Sequence, residues 1–161
     1  MAFSRKGVKM YRLITGALLF SATWLYGEKV EIVSDAMQAE NAKKEVQFVG
    51  HVKIKQAQTW LHAHRVIVSF DENNETKQYE ARGGVVFQVK TKESTYKGRA
   101  QRVTYNPLVL TYKLSGKASI EDISHQRRIS GEEILFDAKS GDAKVKGNPK
   151  KPVKFIFEME K

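Results

Sequence analysis

The residues of this chain whose types and spacing could do chemistry are few. His62 and His64 stand two apart, which puts both imidazoles on one face of a strand and could offer two nitrogens to a metal ion. The alternation around them assigns both to the outward side, and His51 and His125 lie in distant segments, so a solvent-facing strand is the better reading. Asp71, Glu72, Asn73 and Glu75 form an oxygen-rich tip, but the glycine and the terminal bidentate glutamate of an EF-hand are missing. Trp60, Tyr79, Phe87, Tyr96, Tyr105 and Tyr112, interspersed with Lys and Arg, are types that can stack on bases, a role that the export signal described below argues against. There is no nucleophile elbow, phosphate loop, zinc spacing or paired-carboxylate signature. The expectation is no enzyme, no catalytic residue, no metal, no cofactor and no nucleic-acid partner.

Any function must therefore come from the elements themselves, and these repeat. Gly50, Gly83, Gly116 and Gly147 fall 33, 33 and 31 residues apart, each preceded by two apolar or small residues in alternation: Val46/Phe48, Tyr79/Ala81, Tyr112/Leu114 and Ala143/Val145. A second half-unit recurs as a small residue with apolar ones at +3 and +5: Ser34, Ala63, Ala100 and Gly131 lead to Met37/Ala39, Val66/Val68, Val103/Tyr105 and Ile134/Phe136. Period two is the side-chain period of a strand. Between Ala63 and Val66 the inward parity slips by one residue, as it does at a bulge or corner, where a small residue lets backbones approach. The glycines are expected to mark a second corner, with Gly83-Gly84 lying between strands. Four units of about four short strands predict an all-β domain of roughly sixteen strands. Breaks are expected at the tips 41–44, 71–77, 106–107, 139–142 and 148–152.

Residues 1–27 carry Arg5, Lys6, Lys9 and Arg12 followed by the 14-residue apolar run Leu13–Tyr26, a signal-peptide pattern too short to span a bilayer comfortably. The expected division is a leader over 1–27, cleaved near Gly27, and one β domain over 28–161. Four of the chain's 28 Lys and Arg but none of its 18 Asp and Glu belong to the leader, so the remainder keeps a net charge of +6. With no cysteine, an exported chain must rest on its apolar face and its β ladder. A lysine-rich solvated surface accounts for the charge, as does attraction to an anionic partner such as phosphorylated lipid. The terminal alternation Val153, Phe155, Phe157 and Met159 has nothing downstream to pair with and reads as a capped or a docking edge.

The inward set is Val30, Ile32, Phe48, Val52, Ile54, Leu61, Val68, Phe70, Phe87, Val103, Tyr105, Tyr112, Leu114, Ile120 and Phe136, with Val46, Val66, Val85 and Ile134. It forms either a packed sandwich core or, because stacked units align their inner faces, a lengthwise stripe open at its ends. The stretches VEIVSDA from Val30, VQFVGHVKI from Val46, LHAHRVIV from Leu61, YKGRAQRVTY from Tyr96 and LSGKA from Leu114 resemble the OstA-like family of lipopolysaccharide-transport proteins over residues 29 to 147. That resemblance implies a single twisted, open, V-shaped β-jellyroll in the periplasm whose lumen holds lipid A acyl chains. Val30 and Ile32 match its first-strand lumen residues, and Phe87, Tyr105 and Leu114 its later lumen-lining ones. It also implies end-to-end strand pairing with an LptC-like protein at the N-terminal edge, an LptD-like outer-membrane protein at the C-terminal edge, and further copies of the chain between. Lys53, Lys55, Arg65 and Arg99 are expected near the rim, against lipid phosphates. Two alternatives stay open: an uncleaved, membrane-anchored protein like LptC, and a structural or polyanion-binding β module with a packed core.

Overall fold

The computed structural model describes residues 29–137, 140 and 142–159; the expected leader lies outside them. Among the described residues ten antiparallel strands follow one another in chain order: β1 (Glu31–Val33), β2 (Ala36–Glu40), β3 (Glu45–Gln56), β4 (Thr59–Phe70), β5 (Thr76–Lys90), β6 (Thr95–Asn106), β7 (Thr111–Asp122), β8 (Arg127–Asp137), β9 (Ala143–Lys146) and β10 (Lys154–Phe157). They make one open sheet in which β3 to β8 pair in sequence, β1 and β2 both pair with β3, and β9 and β10 both pair with β8. The expected count of sixteen is corrected by this pairing. Six strands run straight through the bend and contribute two halves each, and only the four short strands are interrupted there, so the sixteen expected segments are present but make ten strands.

The bend is a crease across the whole sheet. The ladders shift register between Val49 and Val52, His62 and Arg65, Arg82 and Val85, Arg99 and Arg102, and Ser115 and Ala118. At each shift the glycine-bearing strand carries one residue more than its neighbour, as in a β-bulge. Gly50, Gly83 and Gly116 have φ of 84°, 82° and 81°, and the following His51, Gly84 and Lys117 are also left-handed at 48°, 56° and 49°. Two consecutive left-handed residues turn the strand without reversing it. Gly83-Gly84 is thus inside β5 and not between strands, as the sequence had suggested. A Cβ on Gly83 would come within 2.6 Å of the His64 Cβ, and one on Gly50 within 2.9 Å of the Asp35 side chain. The facing strands supply Ser34, Ala63, Ala100 and Gly131, and the expected parity slip is seen there: Leu61, Ala63, Val66 and Val68 are all buried.

Gly147 is a second correction. It has no left-handed φ and ends β9, where a Cβ would meet the backbone N of Val153 at 2.6 Å. The carboxamide Oδ1 of Asn148 accepts the N–H groups of Lys150 and Lys151 at 2.9 and 2.7 Å, so the chain makes a side-chain-closed turn before rejoining β8 as β10.

The crease brings the two half-sheets face to face, and twenty buried apolar residues drawn from both form one cluster. Replacing Gly83 by Ala is expected to destabilise the fold by about 2 kcal/mol or more, through left-handed strain and the His64 contact. Gly84→Asn, at a left-handed position with nothing within 4 Å, is expected to stay within about 1 kcal/mol of the parent. Urea unfolding followed by circular dichroism measures both; equal losses would remove the crease from its controlling role.

Candidate functional site: the inner apolar face

Antiparallel register lines up the inward side chains in rows that cross the strands. One row runs Met37, Phe48, Val66, Ala81, Val103, Leu114, Ile134, Val145, from β2 to β9. On the other side of the crease a second row runs Ile32, Ile54, Leu61, Phe87, Gly98, Ile120, Ile129, Phe155, from β1 to β10. Gly98 does not interrupt it, because the Phe87 ring lies where its Cβ would be. Val68, Tyr79, Tyr105, Tyr112 and Phe136 make a third row, with ring centroids 5.9 Å apart for Tyr79–Tyr105, 4.3 Å for Tyr105–Tyr112 and 6.2 Å for Tyr112–Phe136.

All fifteen residues expected on the inner face are brought together in this cluster. Phe48, Val52, Ile54, Leu61, Val68, Phe87, Val103, Tyr105, Tyr112 and Leu114 are buried, and Val30, Ile32, Phe70, Ile120 and Phe136 are partly buried against them. The middle of the face is filled by its own side chains: the gap between the half-sheets, lined by Ile54, Leu61, Val66, Tyr79, Val103 and Tyr105, has room for about 20 Å³, roughly one water. The ends differ. Met37 is 64% exposed at the first edge, and Phe155 and Phe157 are 54% and 53% exposed at the last, their rings stacked at 5.3 Å. The rows are dry in the centre and wet at both edges.

Polar groups close the margin. Asp122, buried at the end of β7, accepts hydrogen bonds from Ser94 Oγ, from Arg127 Nη2 at 2.7 Å and from His125 Nδ1 at 2.9 Å. Burial pushes its carboxyl upward, but the bonds from Ser94, Arg127 and His125 outweigh that and hold it well below the usual carboxylate range. Sequence reading missed this cluster, although the signal was there: Asp122 continues the inward parity of Tyr112, Leu114, Ala118 and Ile120.

The other candidates resolve differently. His62 and His64 do face outward, His62 beside Trp60 with ring centroids 4.7 Å apart. Among the described residues no group of three or more His, Asp or Glu side chains converges as metal ligands would. Asp71 Oδ1 accepts the N–H groups of Asn73 and Glu75 at 2.8 and 2.9 Å, which makes it a turn-closing residue. Lys53, Lys55 and Arg99 are not at a rim but on the outward face of the β1-side half-sheet, and Arg65 lies outward at the crease.

An open β-jellyroll carrying one apolar face from edge to edge is the class of molecule this geometry defines. The family model described as LptA/(LptD N-terminal domain) LPS transport protein matches residues 31–142, and the chain belongs to that family. Among solved structures it is similar to LptH of Pseudomonas aeruginosa, described as the LptA homologous periplasmic component of the conserved lipopolysaccharide transport device. The TM-score is 0.69 at 14% identity, over 82% of this chain and 96% of that one. No curated protein matches the sequence significantly.

The tyrosine row makes the face sensitive to alkali. Burial pushes the Tyr79 phenol up from 10.0 to about 12, and burial likewise raises Tyr112 and Tyr105. Each therefore holds its proton more tightly folded than unfolded, and for Tyr79 the contribution to stability is intact below about pH 10 and is lost as pH rises through about 12. Tyr79→Phe is expected to flatten the decline of the denaturant midpoint across that window relative to the parent. Parallel declines would show that this phenol does not gain its proton affinity from the fold.

Proposed function

We propose that this chain is a non-enzymatic periplasmic carrier of lipopolysaccharide, which shields lipid A acyl chains against its inner face and passes them along that face. The observation that carries the reading is the continuity of the two apolar rows from the first edge to the last. The physical need for such a shield is large: burying a methylene is worth about 0.8 kcal/mol, so one exposed chain of about twelve carbons costs on the order of 10 kcal/mol. Loading requires the half-sheets to part along the crease, since a gap of about 20 Å³ admits no acyl chain. The proposed carrier is continued by strand addition at its unpaired edges, with an LptC-like protein on β1 and β2, an LptD-like protein on β9 and β10, and copies of itself between. Exposed Phe155 and Phe157 then meet the exposed first-edge residues of the next module, and the apolar rows run on across the joint.

The packed centre favours one other reading, a structural β module whose core never opens. A photo-crosslinking residue at position 48 or 87 separates the two: the carrier gives a lipid adduct in cells from both positions and none from outward-facing position 78, whereas a permanently closed core gives none from any. For the edge, F155E/F157E is expected to abolish head-to-tail association in solution and lipid transfer in a reconstituted assay while leaving the thermal midpoint within about 3 °C, since both rings are exposed. Unchanged association would remove β10 as the docking edge.

A further inference from the structure

The outward face of the half-sheet made by β1, the first halves of β4, β6 and β8, the second halves of β3, β5 and β7, and β10 is strongly and unevenly charged. Its two outward rows carry six cations, Lys53, Lys55, Lys97, Arg99, Arg128 and Lys154, against two carboxylates, Glu31 and Glu121. Glu121 is already paired with Arg128 at 2.9 Å, and among the described residues the other five cations form no ion pair. The two equivalent outward rows of the opposite half-sheet carry the same count, Arg65, Arg82, Arg102, Lys113, Lys144 and Lys146 against Glu80 and Glu133, but more of it is paired. There Arg82 and Arg102 share Glu80 at 2.7 and 3.0 Å, and Lys113 meets Glu133 at 3.5 Å. Among the described residues five cations are thus left without an ion pair on the first face and three, Arg65, Lys144 and Lys146, on the second.

Three of the unpaired cations, Lys97, Arg99 and Lys154, line a depression. A groove of about 580 Å³ lies on this face, with Trp60 at one end, Lys97, Arg99, Ser119, Ser130 and the Glu121–Arg128 ion pair along it, and Lys154 at the other. Its volume is in the range of small-molecule sites. From Arg99 on β6 across Ser119 and Ser130 to Lys154 on β10 the register spans three strand spacings, about 14 Å. Guanidinium and ammonium groups recognise phosphate oxygens, serine hydroxyls match sugar hydroxyls, and an indole face packs on the C–H face of a hexose. A flat bilayer would touch the rims of such a groove and leave its floor unfilled.

We propose that this groove on the outward face binds a phosphorylated saccharide, a reading independent of the lipid-carrier one. The saccharide is either free or the head of a glycolipid; the recognising chemistry is the same.

The test is titration of the full chain with glucose 1,6-bisphosphate, glucose and inorganic phosphate, followed by amide chemical shifts. The bisphosphate is expected to bind at least about tenfold tighter than either other probe, with shifts centred on Trp60, Arg99 and Ser119. K97E/R99E is expected to weaken it about tenfold or more, whereas K77E/K144E, which makes the same charge change on the other half-sheet, is expected to leave it within about twofold. Trp60→Ala is expected to bring the bisphosphate down to the affinity of inorganic phosphate. Equal losses from the two charge-reversal pairs would mean diffuse electrostatics, and equal binding of inorganic phosphate would mean no saccharide recognition; either overturns the proposal. So would binding to phosphatidylglycerol vesicles that K97E/R99E abolishes while the bisphosphate produces no shifts. A phosphorylated oligosaccharide is then compared with and without its acyl chains. Loss of both on K97E/R99E supports a site for the sugar itself, loss of the acylated form alone supports a glycolipid head, and loss of neither overturns the site.

Discussion

A sheet with one apolar face must cover that face, and this chain does so by folding the sheet along a line where side chains have been removed. At Gly50, Gly83 and Gly116 the neighbouring strand approaches so closely that any Cβ would overlap Asp35, His64 or Gln101. Two left-handed residues in succession at each site supply the turn. Every other feature follows from this crease. It sets the register shift on both sides, brings Ile54 and Leu61 over Val66 and Tyr79, and makes one core from residues that the strands alone would hold apart. Because all the bends share one line, a single structural device repeated every 33 residues folds the whole sheet and not merely one hairpin.

Folding a sheet along a line leaves its two lateral edges unpaired, and the chain treats them unequally. The first edge is divided at Ser34–Asp35, where Asp35 N–H bonds to the Gly50 carbonyl at 2.9 Å, so β1 and β2 keep the crease although the strand is interrupted. The last edge gives up the crease: after Gly147 the chain loops out and returns as β10, whose Phe155, Ile156 and Phe157 are all about half exposed. Natural edges are usually blunted by charge or by brevity. β10 is short, but it places apolar side chains on both of its faces, so beyond Lys154 charge does not blunt it.

Much of this was legible in the sequence because the relevant forces are local and periodic. The slip between Ala63 and Val66 could be read from parity alone, and so could the inward membership of residues as far apart as Val30 and Phe136, since a period-two pattern leaves only two faces to choose between. The continuity of a strand through a bend could not. Alternation is the same whether the ladder continues or stops, so β3 to β8 each read as two strands. Gly147 was misread for a related reason: it shares the spacing of a corner, but its conformation is set by the Asn148 side chain and by β10, which returns from further along the chain. The charged groove and the Asp122 cluster stayed hidden because each is assembled across several strands, and no local pattern shows that Arg99, Ser119, Ser130 and Lys154 share one row.

The closed centre of the molecule bears on how such a face could carry lipid without trapping it. An open apolar trough would bind its cargo with most of the transfer free energy of the buried chains, and release would be slow in proportion. Here the inner face is already dry, with Val52, Val85 and Ile134 each about 1% exposed. Parting the half-sheets to admit an acyl chain exchanges protein–protein contacts for protein–lipid contacts of similar character, so the gain from shielding the lipid is offset by the packing given up along the crease. On the proposed carrier reading the residual affinity would be small in the centre and concentrated at the edges, where Met37, Phe155 and Phe157 are exposed. The proposed carrier would then hold its cargo weakly within each module and take or release it at the joints, the condition for movement along a chain of equivalent sites.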